Sequence, residues 1–408
     1  MSYLGALKNK AFRTLYISII LSNLASSIAN ISLVWIAYNK FNSPFVIAVV
    51  LAAVTLPNLI LGPLLGGFLD KFKKTHLMIL GNLINASVFI FLVFDPLKTT
   101  VDFIVFIMLL VVSGATGPLL KGGSSMFIQD IFTNQDARIV ANALTSISFD
   151  MTYICGSMIS GLIMALGYGV KVYVLVASLY VFVALCVWRV SRLVDMRKQE
   201  HTQKSEVYTS YFSNLKSAFQ TIISNPTLLY LMLMNFLWNM FLWAGLTVLL
   251  PILVKQHFMA GASQYGLLES MSSIGIVIGS FVVGKLKVTS KWLVLGVVGT
   301  IGLHGLLFSL IGFATNVQMT AVLLITIGLV VSPALIYQST FYQQTFDSTA
   351  RGALFTISGT MTSASYPIGI ALTSSLASTL HSNVTPIFVT YGLIIAVISL
   401  IVYFRVKN

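Results

Sequence analysis

Apolar residues in this chain of 408 gather into runs of roughly 20, separated by short basic or Gly/Pro-containing segments. A run of about 20 apolar residues, wound as a helix, crosses the hydrocarbon core of a bilayer. Only 9% of the residues are charged, against 57% hydrophobic, where a soluble domain carries about 25% charge. Hydrocarbon offers backbone groups no hydrogen-bond partner, so each crossing segment must be helical. The pattern predicts an all-α polytopic membrane protein. Twelve transmembrane helices are expected at 12–38, 44–68, 75–94, 103–131, 142–167, 171–192, 226–254, 263–284, 292–314, 319–345, 352–378 and 386–404. The first run is too long for the core of a signal peptide and is expected to be retained.

A net charge of +13 would suit nucleic acid if it formed a patch, but its placement argues against such a partner. With twelve spans both termini share one side. Lys40, Lys98, Lys171 and Lys255 fall on the opposite side and Lys121 inside a span, and all other Lys and Arg fall on the side of the termini. Basic residues concentrate on the cytoplasmic side of membrane proteins. The chain is therefore expected in the cell membrane with both termini cytoplasmic. Cys155 and Cys186 lie within spans and read as core thiols.

The longest polar stretch, 193–225, divides six helices from six. It predicts an N-terminal bundle over 1–192, a cytoplasmic linker over 193–225 and a C-terminal bundle over 226–408. Traces of duplication join the halves. Ala143-Leu144, Ile147-Ser148 and Met151-Thr152 recur as Ala353-Leu354, Ile357-Ser358 and Met361-Thr362, and Gly62, Gly67, Leu69 and Lys74 recur as Gly279, Gly284, Leu286 and Lys291. Parallel repeats of this kind place a substrate site between them near the midplane.

The loop Gly66-Gly67-Phe68-Leu69-Asp70-Lys71-Phe72-Lys73-Lys74 resembles the signature loop of the major facilitator superfamily, a Gly followed four residues later by Asp and then by basic residues. Phe12-Arg13, Ser43-Pro44, Leu56-Pro57, Arg351-Gly352 and Ala262-Ser263-Gln264-Tyr265-Gly266 agree with it. Within the superfamily the chain looks similar to bacterial exporters of siderophores and metallophores, of the enterobactin or staphylopine type, and to macrolide efflux pumps. The resemblance implies two six-helix bundles working by alternating access. It also implies a charge lock in which Asp70, with Lys71 and Lys74, meets the start of helix eleven at Arg351, where a helix N-terminus favours an anion. The chain departs from the pattern in places. Lys73 stands where many relatives have a second Gly, and Lys287 replaces the acid in the second half. Helix one has no acid near Ser26-Ser27, and helix five has only Gly156-Ser157 and Ser160-Gly161 where antiporters often carry a Gly-Pro motif.

Few ionisable groups fall inside spans, and such residues are costly enough to suggest function. Asp150 in helix five is the first candidate for proton coupling, with a structural ion pair as its alternative. It follows Ser146 and precedes Tyr153 and Ser157 at helical spacing. Glu269 in helix eight reads as a second protonatable group, an extracellular gate or a rim charge. Lys121 in helix four either pairs with Asp150 or attracts an anionic substrate. His304 in helix nine reads as a packing residue. Candidate cavity faces are Tyr16, Asn23, Ser27 and Asn30 on helix one, and Asn235, Trp238, Asn239 and Trp243 on helix seven. Helix ten adds Tyr337, Gln338 and Tyr342, and helix eleven Ser358, Thr362 and Tyr366. Such polar side chains also bind helices to one another.

No phosphate-binding loop with Gly-x-x-x-x-Gly-Lys-Ser/Thr spacing occurs, nor any cluster of His, Cys and acids with metal-ligand spacing, and no nucleophile–base set is visible. The expected protein is not an enzyme, needs no cofactor or metal, and acts as a monomer on a small-molecule substrate and protons in the lipid bilayer. The reading is a proton-coupled exporter of a small polar organic molecule such as a metallophore, with multidrug or macrolide efflux, uptake and lipid flipping as alternatives.

Overall fold

The computed structural model describes residues 3–69, 73–94, 99–132, 135–195, 220, 222–283, 290–345 and 348–407. Every regular element among them is helical. In chain order they are α1 (Tyr3–Lys8), α2 (Lys10–Phe41), α3 (Pro44–Leu69), α4 (Lys74–Leu92), α5 (Thr100–Ala115), α6 (Gly117–Ile131), α7 (Gln135–Ala165) and α8 (Val172–Asp195). Then follow α9 (Pro226–Trp238), α10 (Ala244–Ile252), α11 (Ala262–Val283), α12 (Ser290–Ile311), α13 (Val317–Thr345), α14 (Ser348–Thr379) and α15 (Thr385–Lys407).

Local chemistry sets the helix ends. Asn9 caps α2 by accepting from the N–H groups of Ala11 and Phe12, and Asn42 closes it in the left-handed region at φ 52°, a conformation Asn tolerates. Thr99 and Asp102 form a reciprocal capping box at the start of α5. Asn225 caps α9, whose first residue is Pro226, where the missing N–H costs nothing.

Among the described residues ten helices are long and apolar enough to cross a membrane. The remaining two expected spans are α7, of 31 residues, and α14, of 32. Their Ser, Thr, Gly and ionisable residues lower the hydropathy, as suits helices packed within a bundle. The sequence predicts one unbroken helix over 103–131, but the chain breaks at Thr116 into α5 and α6. Pro118 has no N–H to offer the preceding turn. Asn85 of α4 secures the break, donating to Thr116 Oγ1 at 2.9 Å and accepting from Ser113 Oγ at 2.8 Å. Helix seven (226–257) also differs from a plain α-helix. It holds two π turns, Asn239–Trp243 and Leu253–His257, each closed by a bond across five residues.

The chain forms two compact units, Met1–His201 with Gly261–Ser270, and Thr202–Ala260 with Met271–Asn408. In the first, α2 packs on α7 and α8, and α4 packs on α8. One apolar cluster there joins α2, α3, α4, α5 and α8 around Phe89, Tyr173 and Tyr180. A second joins α1, α2, α4, α6, α7 and α8 around Phe12 and Phe127. In the second unit α12 packs on α13 and α15. Close approach there needs small residues, because a Cβ on Gly305 would stand 2.6 Å from the Gly392 carbonyl oxygen. Hydroxyls hold the same pair. Ser399 donates to Val298 O at 2.5 Å, Ser309 to Val389 O at 3.2 Å and Thr385 to Gly312 O at 2.8 Å. Gly305→Leu is expected to overpack this seam and lower stability by about 1–3 kcal/mol, read as a reduced thermal midpoint of the detergent-solubilised protein. Gly299→Leu, facing open space, is the matched control.

Candidate functional site

The second unit gathers an uncharged polar network. Asn235 of α9 accepts at Oδ1 from Asn239 Nδ2 (2.7 Å) and Thr362 Oγ1 (3.3 Å), and donates through Nδ2 to Gln338 Oε1 at 2.8 Å. Gln338 then donates to the Tyr342 hydroxyl at 3.0 Å. Helical periodicity puts each of these side chains one turn from the next on its own helix, and the bonds run between α9, α13 and α14. Tyr366 joins from one turn beyond Thr362, its hydroxyl 2.7 Å from Thr247 Oγ1. Amides and hydroxyls suit this setting, since each both donates and accepts and none carries a full charge.

Next to the network the π turn Asn239–Trp243 widens the helix, and α14 approaches it closely. A Cβ on Gly369 would stand 2.7 Å from Ala244 Cβ. π turns recur at functional sites. Trp238 lies at the start of this turn and Trp243 at its end, and both rings pack edge-on against His304, with centroids 5.9 Å and 5.6 Å away. Trp238 is buried and donates its indole N–H to His304 Nδ1 at 2.9 Å. That bond requires Nδ1 to be the unprotonated nitrogen of the ring, so His304 is a satisfied packing residue. Trp243 and Tyr337 are half-buried, and Tyr337 lies over Gly296.

The first unit holds the two acids. Asp150 sits midway along α7, half-buried between the exposed Phe149 and Met151. Among the described residues no ion pair reaches it. Three residues on, and on the same face, Tyr153 donates its hydroxyl to Glu269 Oε2 at 2.7 Å. Glu269, on α11, is 8% exposed and takes a second hydrogen bond from Tyr265, whose ring stacks on Trp35 of α2 with centroids 5.2 Å apart. Glycines bring the backbones together, since a Cβ on Gly161 would stand 2.8 Å from the Ala262 carbonyl oxygen. Ser157 hydrogen-bonds Tyr153 O within α7 at 2.6 Å.

On α2, Tyr16 donates to Leu144 O and Ser27 to Tyr153 O, each at 3.2 Å, so these two of its four candidate cavity residues bind α2 to α7. Asn23 is half-buried and Asn30 exposed. The backbone of Lys121 lies on α6, that of Lys74 on α4 and that of Arg351 on α14. Their side chains lie outside the described residues, as do Asp70 and Lys71 entirely. The suggested pairing of Lys121 with Asp150 lies outside them for the same reason. Among the described residues no three His, Cys, Asp or Glu stand together as metal ligands. Tyr153, Tyr265 and Trp35 around Glu269 were not singled out as site residues from sequence. The spacing of Tyr265 and Glu269 is a readable signal, but a contact across 116 residues is not.

The family profile described as transmembrane secretion effector matches residues 1–408. The chain belongs to that family of major facilitator transporters. An uncharacterised MFS-type transporter of Sinorhizobium fredii is 24% identical over 410 residues, covering 96% of this chain and 94% of the relative. One of Bacillus subtilis is 23% identical over 389 residues, covering 91% and 87%. A bacterial homologue of the human lysosomal transporter Spinster shares the fold at a TM-score of 0.70 and 14% identity, covering 98% of this chain and 97% of that one. The nucleoside transporter NupG does so at 0.70 and 15%, covering 98% and 99%. The protein is thus a multi-pass membrane transporter of the major facilitator fold.

Tyr153→Phe removes one of the two donors to a buried carboxyl group. It is expected to cost about 1–3 kcal/mol, seen as a lower thermal midpoint in detergent. Glu269→Gln keeps an acceptor for the tyrosine and is expected to retain most of that stability.

Proposed function

We propose that this member of the secretion-effector family is a proton-coupled exporter of a small polar organic molecule, working by alternating access. Asp150 is the proposed coupling residue and Glu269 the second. The observation that carries the reading is the placement of Asp150, a half-buried acid midway along α7, the helix expected as the fifth span, with no ion pair among the described residues. A carboxyl group spent on a structural pair would be matched by a cation. A half-open carboxyl group at mid-helix can take up and release a proton, and Lys121 is the cation that would compete for it as a partner.

In the second unit the proposed cargo-binding residues are Asn235, Asn239, Gln338 and Tyr366 of the neutral network with Trp243, Tyr337 and the supporting Trp238; in the first unit, taken by itself, they are Asn23 and Asn30. Lys121 is proposed to attract an anionic part of the substrate. Hydroxyl-, amide- and carboxylate-bearing molecules such as metallophores fit this set better than lipophilic cations. The family's description as secretion effectors supports outward transport. The reading includes the cell membrane, cytoplasmic termini, bundles over 1–192 and 226–408 and a linker over 193–225, with Asp70, Lys71, Lys74 and Arg351 as its gate residues. Uptake is a second reading, favoured by the likeness of fold to a nucleoside transporter.

In proteoliposomes with an imposed pH gradient, wild-type protein is expected to drive substrate counterflow against its gradient. Asp150→Asn is expected to lose the pH-gradient dependence while keeping substrate exchange. An undiminished response to the gradient in Asp150→Asn would refute the coupling role, and accumulation along the direction of proton entry would favour uptake.

A further inference from the structure

A groove of about 470 Å³ runs along the first unit's surface between α4 and α8, lined by Ile90 and Phe94 on one side and Val174, Ser178, Val181 and Leu185 on the other. Both helices are long and apolar enough to cross a membrane, and a groove between the outer faces of two such helices opens onto lipid. Its rim is apolar and exposed. Phe94 is 76% exposed, Val174 50% and Leu185 54%. The one polar side chain in the wall is already satisfied, because Ser178 donates to Val174 O at 2.8 Å. A polar solute would find no partner there.

Its length and ends define the occupant. From Val174 to Leu185 the helix rises about 16 Å at ~1.5 Å per residue, close to half of the roughly 30 Å hydrocarbon core. The groove therefore fits the chains of one leaflet. Residues 174, 178, 181 and 185 follow helical spacing and share one stripe, and the exposed Lys171 ends the 3-10 turn Gly169–Lys171 that leads into α8, three residues before Val174. The exposed Tyr168 precedes it, and tyrosine favours the membrane interface. At the other end of the stripe Arg192 lies over the Trp188 ring, 3.9 Å from its centroid, and so is already engaged. Among the described residues the cation next to the groove's Val174 end is Lys171.

We propose that the α4–α8 groove is a binding site for an anionic phospholipid, with an acyl chain along Val174–Leu185 and the headgroup phosphate at Lys171. The site is separate from the polar network and the acids described above.

Purified protein in detergent, titrated with dioleoyl phosphatidylglycerol or dioleoyl phosphatidylcholine and read by native mass spectrometry, tests it. Wild-type protein is expected to retain one phosphatidylglycerol in preference to phosphatidylcholine. Lys171→Gln is expected to cut that preference about five-fold, the contribution of one lysine near a bilayer surface. Val181→Trp fills the groove from the lipid side and is expected to lower retention of both lipids. Four results would overturn the proposal. They are an unchanged preference in Lys171→Gln, full retention in Val181→Trp, displacement of the lipid by glycerol phosphate as effective as by phosphatidylglycerol, and a dimer in place of the lipid that Val181→Trp dissolves. Lys171→Gln tests the headgroup alone should the tryptophan variant not fold.

Discussion

In hydrocarbon a polar group without a partner inside the protein has no partner at all. That constraint shapes most of what the side chains here do. Serine and threonine hydroxyls bend back to carbonyls of the preceding turn throughout the spans, as Ser32 does to Ile28 and Thr152 to Ser148. Others reach the next helix, as Ser399 and Ser309 do across the seam of α12 and α15. Asn85 spends both ends of its amide on the broken turn between α5 and α6. Where two backbones touch, glycine replaces the hydroxyl and lets van der Waals contact supply the attraction.

Against that background the polar residues sort by what they have already given up. Trp238 and His304 satisfy each other in a buried pair, which leaves their indole and imidazole as supports for the widened turn beside them. Glu269 is held by two tyrosines. The Asn235–Gln338–Tyr342 chain is bonded from end to end, yet its members are amides and a phenol that can exchange one partner for another of similar geometry. Ligand binding to such a surface swaps bonds and does not expose bare charge, so it fits a neutral polar portion of a cargo. Asp150 differs from all of these in being half-open and ionisable midway along α7.

Much of the fold was legible because hydrocarbon thickness demands long apolar helices, and such runs survive any detail of packing. The caps Asn9, Thr99 and Asn225 sit ahead of their helices but were not read from the sequence, which began the first and fourth spans at 12 and 103 where the helices begin at Lys10 and Thr100. The break at Thr116 was missed, although Gly114, Gly117 and Pro118 lie around it, because a long apolar run hides a change of direction. The π turns were missed for a deeper reason. An extra residue in a turn leaves no mark in composition. The polar stripes of helices seven, ten and eleven were readable from period alone, and of their members the structure hydrogen-bonds Asn235, Asn239, Gln338, Tyr342 and Thr362 to one another. Tyr16 and Ser27 shared a stripe with Asn23 and Asn30 but turned out to bond α2 to α7, since period tells which residues share a face and not what that face meets. The partnership of Tyr153 with Glu269 joins distant parts of the chain, and nothing local encodes it.

The π turns of helix seven carry a geometric consequence. Each lodges one surplus residue in a single loop of the coil, so the segments before and after it keep their rotational phase. Asn235 and Trp238 on one flank and Thr247 on the other can therefore hold their bearings toward α12, α13 and α14, while the lodged residue opens the backbone between them. The helix has gained a local aperture without being unscrewed.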